Sequence, residues 1–236
     1  MKKKLKNILI IVCIVLSLFV VYYVNDYYHA QNIIHETTSI QSVHTEDYVV
    51  YEPENADIGF ILYPGAKVEF IAYEPLIEQL AQERILSCVV RMPLNFAILD
   101  EEIAEEIIEM YPNIKEWYIG GHSLGGVAAA SFASKNKDLL QGIIFLASYS
   151  TKDLSETKLK GLSIYGSEDG VLNQDSYKKN KRNFPKKTKE YCIQGGNHAY
   201  YGNYGEQDGD GIATISRKHQ QEETVKSIIE CIRSLN

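Results

Sequence analysis

Three side chains whose types combine to make a nucleophile occur in this chain in the order Ser123, Asp169, His198. A serine hydroxyl attacks poorly at neutral pH, so it needs an imidazole to take its proton and a carboxylate to orient that imidazole. Ser123 sits in Gly121-His122-Ser123-Leu124-Gly125, after the apolar run Trp117-Tyr118-Ile119 and before the small residues Val127 to Ala130. That pattern reads as a strand, a sharp turn and a helix. It is the G-x-S-x-G context in which a strained turn lifts the hydroxyl out at the strand end, with Gly121 and Gly125 leaving room for neighbouring backbone. Asp169 follows the apolar segment Leu162 to Tyr165, and His198 follows Tyr191-Cys192-Ile193 and a glycine pair. In a parallel sheet all three then emerge at the carboxyl edge. Glu168 competes with Asp169 as the acid, and Asp175, Asp208 and Asp210 are weaker rivals. His122 adjoins the serine, but consecutive residues in such a turn diverge, which favours His198 as the base.

The chemistry open to this set is attack on an ester-type carbonyl, and the developing oxyanion needs donors. The sequence offers the backbone N–H of Leu124 and, after the earlier strand, that of Ala66, with Lys67 its nearest rival. Lys67, Tyr73 and Asn95 are expected to line the site. The four cysteines are scattered and form no C-x-x-C or His-rich cluster, so neither a zinc site nor a cofactor is expected, and pairing among Cys88, Cys192 and Cys231 stays open. The glutamates of Asp100 to Met110 read as the solvated face of an amphipathic helix. The basic residues between Lys178 and Lys189 read as a surface helix and loop, with an anionic substrate or lipid headgroup as the alternative.

These residues need a scaffold, and from Tyr48 onward strand and helix patterns alternate, as in a parallel α/β sheet. Apolar strands are expected at Ile58 to Tyr63, Ser87 to Arg91, Gly142 to Ala147, Leu162 to Tyr165 and Tyr191 to Ile193. Helices are expected at Ala72 to Ile85, Asp100 to Met110, after Ser123, and at His219 to Leu235. No long insertion follows Ile143, so no large lid is expected.

With 236 residues, 45% of them hydrophobic, one main domain is the prior. The net charge is −7, and the four positive charges Lys2, Lys3, Lys4 and Lys6 precede an uncharged run from Ile8 to Val24, leaving the remainder near −11. An acidic body argues against a nucleic-acid partner. The run is long enough to cross a bilayer, its lysines predict a cytoplasmic amino terminus and an extracytoplasmic body, and tyrosines close it at the interface. A signal peptide cleaved to release a secreted body is the alternative. The expected organisation is residues 1–24 as anchor, 25–47 as a polar linker with His29, His35 and His44 solvated, and 48–236 as the α/β domain.

From residue 48 onward the chain resembles the α/β-hydrolase superfamily, and within it the compact, largely uncharacterised dienelactone-hydrolase-like group. The resemblance rests on Tyr63-Pro64-Gly65-Ala66-Lys67-Val68, Met92-Pro93-Leu94-Asn95, Gly120 to Gly126, Gly166 to Gly170, and Gly195-Gly196-Asn197-His198-Ala199. A tail like Gln207 to Arg217 also recurs in that group. The resemblance implies an α/β-hydrolase fold and a serine hydrolase acting on a small-molecule acyl substrate, although dienelactone hydrolases use cysteine where this chain has Ser123. Acyl transfer to another acceptor, or a catalytically silent envelope-binding protein on the same fold, are the competing readings.

Overall fold

The computed structural model of the chain describes residues 2–33 and 40–234. The first element is α1 (Lys2–Asn25). Its segment Lys4–Tyr23, with mean hydropathy 2.5, is long and apolar enough to cross a membrane, and none of it is buried. Each large apolar side chain that it holds in water forgoes roughly 1.5–3 kcal/mol of burial. Such a helix gains this only in an apolar surrounding.

The body is built on one sheet of eight strands: β1 (Gln41–His44), β2 (Tyr48–Glu52), β3 (Ile58–Tyr63), β4 (Ile85–Val90), β5 (Glu116–His122), β6 (Gly142–Leu146), β7 (Lys160–Gly166) and β8 (Lys189–Ile193). Their spatial order is β1-β2-β4-β3-β5-β6-β7-β8. β1 and β2 pair antiparallel at one edge, and the other strands run parallel. The near-continuous apolar strands of the sequence are the central ones, because a sheet covered on both faces buries every side chain. One face carries α2 (Glu74–Gln82) and α6 (Arg217–Arg233). The other carries α3 (Ile103–Met110), α4 (Leu124–Lys135) and α5 (Gln174–Asn180).

The local chemistry explains the boundaries. Pro75 stands in the first turn of α2, where its missing N–H costs nothing, and a separate 3-10 turn over Phe70–Tyr73 precedes it. The expected helix from Ala72 to Ile85 is therefore shorter, and Ile85 opens β4. Asn173 and Ser216 cap α5 and α6 by accepting the N–H groups of Ser176 and His219. Leu235 lies outside the described residues. In α3, Ala104 and Ile107 are buried while Glu105, Glu106 and Glu109 face solvent, so these carboxylates form a solvated face.

Within 25–47, residues 34–39 and with them His35 lie outside the described residues, yet both flanking parts are held on the body. Gln41–His44 forms β1, and His44 Nε2 lies 3.2 Å from the buried Glu74 carboxylate, which also accepts the Tyr51 hydroxyl at 2.8 Å. Residues 26–33 run across the carboxyl edge of the sheet, where Tyr28 bridges to Val68. His29 is exposed, 3.7 Å from Glu69.

All four cysteines are free, with Cys88 and Cys231 buried. Burial drives the Cys88 thiol well above its ordinary range. Thiol titration of the non-reduced chain is expected to count four reactive groups in denaturant, with Cys88 unreactive in the folded protein. A count of two in denaturant would contradict this arrangement.

Candidate active site

The turn after β5 puts Ser123 at φ +52, ψ −122, a left-handed conformation rare for any side chain. Two close backbone approaches enforce it. A Cβ on Gly121 would collide with the Gly125 carbonyl, and one on Gly125 would collide with the carbonyl oxygens of Tyr63 and Pro64. Both positions therefore require glycine, which lets the start of α4 press against the end of β3. Ser123 N–H donates to Leu146 O, and Ser148 Oγ donates to Ser123 O at 2.6 Å, so the turn is also held from β6. Ala147 shares the strain, with φ +47.

Strand register brings the other two groups to the same edge: Tyr63 pairs with Gly121, His122 with Leu146, and Gly166 with Ile193. Asp169 and His198 follow the last two of these ends. His198 Nδ1 lies 3.0 and 3.1 Å from the two oxygens of Asp169, with side-chain exposures of 1% and 0%. Asp169 Oδ1 also accepts the N–H groups of Val171 and Leu172, which fixes the carboxylate. Because Nδ1–H donates to the carboxylate, the imidazole lone pair is on Nε2. That atom is buried and makes no hydrogen bond among the described residues. Ser123 and His198 line one cavity of 180 Å³, with Leu124, Val127, Ala147, Leu172 and others. No hydrogen bond joins the hydroxyl to Nε2 here; such contacts often tighten only around substrate. A cleft of 720 Å³ beside Tyr48, Arg91 and Met110 has neither residue in its lining.

Glu168, the rival acid, is exposed and accepts from its neighbour Ser167. The loop after β3 separates the two candidate donors. Lys67 N–H donates to Asn95 O, whereas Ala66 N–H and Leu124 N–H have no partner among the described residues. The three residues expected to line the site do not line this cavity. Lys67 turns its ammonium to Asp26, 3.0 Å away. Asn95 contributes its carbonyl to Lys67, and Tyr73 is fully buried.

Tyr73 instead holds the loop. Its hydroxyl accepts Gly65 N–H at 3.0 Å and lies 2.7 Å from His122 Nδ1. The hydroxyl proton has no other acceptor among the described residues, so it goes to Nδ1 and leaves the His122 proton on Nε2. Burial first, then the nearby His198, drive the His122 pKa well below 6.5. His122 is thus a neutral core imidazole, its ring centre 4.5 Å from that of His198.

Asp210, a weaker rival for the acid, has another place. Its carboxylate accepts the N–H groups of His198, Ala199, Gly170 and Gly211. It therefore ties the loop bearing His198 to the loop bearing Asp169. Asn197 reinforces this by donating to Gly211 O and exchanging two hydrogen bonds with Gln220. The Gln207 to Arg217 tail thus gains a role in positioning. The only hint in the sequence was glycine on both sides of Asp210, which marks a turn and not its partner. Asp210→Ala is expected to lose about 1.5–3 kcal/mol of folding stability in a urea titration, the usual worth of hydrogen bonds to a charged group. Asp208→Ala, at an exposed side chain, is expected to change it by under about 0.5 kcal/mol.

Comparison with known proteins agrees with this architecture. The predicted CIB-like hydrolase from Thermoplasma acidophilum superposes with TM-score 0.56 at 15% identity, over 80% of this chain and 96% of that one. Est1E from Butyrivibrio proteoclasticus gives 0.59 at 12% identity, over 84% and 100%. MGS-MChE2, an alpha/beta hydrolase enzyme from a lagoon-sediment metagenome of Mar Chica, Morocco, gives 0.59 at 14% identity, over 80% and 96%. At such identities these likenesses speak to fold alone. A search of curated proteins gave no match. Residues 59–222 match the profile of the alpha/beta hydrolase family, a span that runs from β3 into α6 and takes in Ser123, Asp169 and His198. The chain belongs to the alpha/beta hydrolase family.

Proposed function

We propose that the chain is a membrane-anchored serine hydrolase that cleaves carboxylester or thioester bonds through an acyl-enzyme on Ser123. The observation that carries this reading is the buried Asp169–His198 pair with Nε2 left unpartnered beside a serine in the strained elbow conformation. In the first step His198 Nε2 takes the Ser123 proton as Oγ bonds to the carbonyl carbon. The carbonyl oxygen becomes the oxyanion, held by the N–H groups of Leu124 and Ala66. The tetrahedral centre collapses, the bond to the leaving group breaks, and that group takes the proton from His198. Water then repeats the sequence, with His198 as base, and frees the acid and Ser123. Asp169 keeps the imidazole in the working tautomer and stabilises its transient positive charge.

The cavity favours a small acyl group, since 180 Å³ is below the roughly 300–1,000 Å³ of drug-sized pockets. Anchoring through residues 8–24 is supported by the exposed apolar surface of α1 and by the lysines before it, which favour a cytoplasmic amino terminus and an extracytoplasmic site.

Assayed on a panel of short-chain esters and thioesters, the full-length protein is expected to turn over at least one of them. Ser123→Ala and His198→Gln are each expected to lower kcat/KM by about 10³-fold or more. Variants that keep wild-type rates while folded would overturn the reading.

A further inference from the structure

The anchor and the catalytic edge meet. Where α1 ends, the Tyr23 ring stacks on Phe96 with centroids 6.4 Å apart, and Lys67 Nζ lies 4.4 Å over the same ring. Phe96 and Lys67 sit on the loops that follow β4 and β3, at the edge where Ser123 emerges. The chain that continues from α1 is docked there. Tyr28 N–H donates to Lys67 O and Glu69 N–H to Tyr28 O, while Ala30 N–H donates to the Glu69 carboxylate and Gln31 N–H to Asn203 O. A strap held at this many points fixes the orientation of the body relative to the helix.

The loop beside the end of α1 is apolar and outward-facing. Leu94, Ile98 and Leu99 are 55%, 50% and 55% exposed, and Leu94 and Asn95 adopt φ of +54 and +58. Leu94 is held out by this strained backbone and Ile98 and Leu99 by the 3-10 turn Ala97–Leu99 that follows, which makes no sense for packing within the body, since none of the three joins either core. β4 lies two strands from β5, which sets this loop about 10 Å from the elbow.

We infer that Leu94, Ile98 and Leu99 insert at headgroup depth into the leaflet from which α1 emerges, so that the Ser123 edge faces the lipid surface and takes its acyl ester from amphiphiles in that leaflet. This rests on the anchored-hydrolase reading above. The occupant of the apolar loop is the bilayer, because the spanning helix ends against the same loop and leaves it at the membrane surface. The orientation follows from the strap, and the apolar loop supplies the contact that a surface-lying element needs.

The test uses the full chain in lipid vesicles that contain acyl-chain-brominated phosphatidylcholine, with single tryptophans introduced as Ile98→Trp, Leu99→Trp and Leu139→Trp. Leu139 is 41% exposed and precedes β6, at the opposite edge. Emission from the first two is expected to fall about twofold relative to unbrominated lipid, and emission from Leu139→Trp to stay unchanged. Trp117, 3% exposed in the core, gives a constant background. In parallel, the double substitution Ile98→Asp and Leu99→Asp is expected to lower turnover of a vesicle-embedded ester about fivefold and to spare a soluble short ester. A chain that floats with the vesicles but shows equal emission loss at 98, 99 and 139 would overturn the inference. A chain that does not float overturns the anchor itself, and inactivity of the wild type on both esters overturns the hydrolase reading while leaving the bromine result to be read by itself.

Discussion

The site depends on one close backbone contact: the first turn of α4 lies directly on the end of β3, with Gly125 against the carbonyls of Tyr63 and Pro64. No side chain fits between them, so the elbow at Ser123 has one way to turn. That contact also sets the distance between the Leu124 amide and the loop carrying Ala66, since both sit at the same junction. Around it the strain is concentrated. Lys67, Leu94, Asn95, Ser123 and Ala147 all have positive φ, and all lie in loops at the carboxyl edge. Backbone strain of this kind persists only where the surroundings over-determine it, and here the surroundings are hydrogen bonds between neighbouring loops.

Those cross-loop bonds make the edge a single unit. Tyr73 joins Gly65 to His122, Asn95 joins the β4 loop to Lys67, and Asp210 joins the Asp169 loop to the His198 loop. Each crosses from one strand end to the next, so the geometry of a chemical group rests on residues far away in sequence. Neutral His122 fits this role: a charged imidazole would stand 4.5 Å from the His198 ring and oppose the imidazolium that the proposed proton transfer forms there.

The parts legible in the sequence are those that local pattern controls. Apolar runs such as Phe60-Ile61-Leu62 mark central strands, the glycine spacing marks the elbow, and Asp169 and His198 follow strand ends in chain order. What escaped is what only tertiary pairing decides. Gln41–His44 is too short and polar to read as a strand, and becomes one because β2 offers a free edge. The stretch after α1 looks like a solvated tether, yet residues 26–33 bond to loops that come 39 to 180 residues later. Tyr73 is expected to line the site, and it is buried instead because Gly65 and His122 satisfy its hydroxyl. Asp210 looked like a spare carboxylate, since nothing in its neighbourhood names the four amides it accepts.

The proposed chemistry requires Ser123 to be an activated nucleophile in the folded chain. The most direct measurement is peptide-mapped mass spectrometry after reaction with a fluorophosphonate probe, which forms a covalent bond only where a base has readied a serine hydroxyl. The proposed mechanism requires one adduct per chain, on the peptide carrying Ser123, abolished by prior unfolding and by His198→Gln. Folded wild-type protein that carries no adduct at Ser123, or carries it equally without His198, would contradict it.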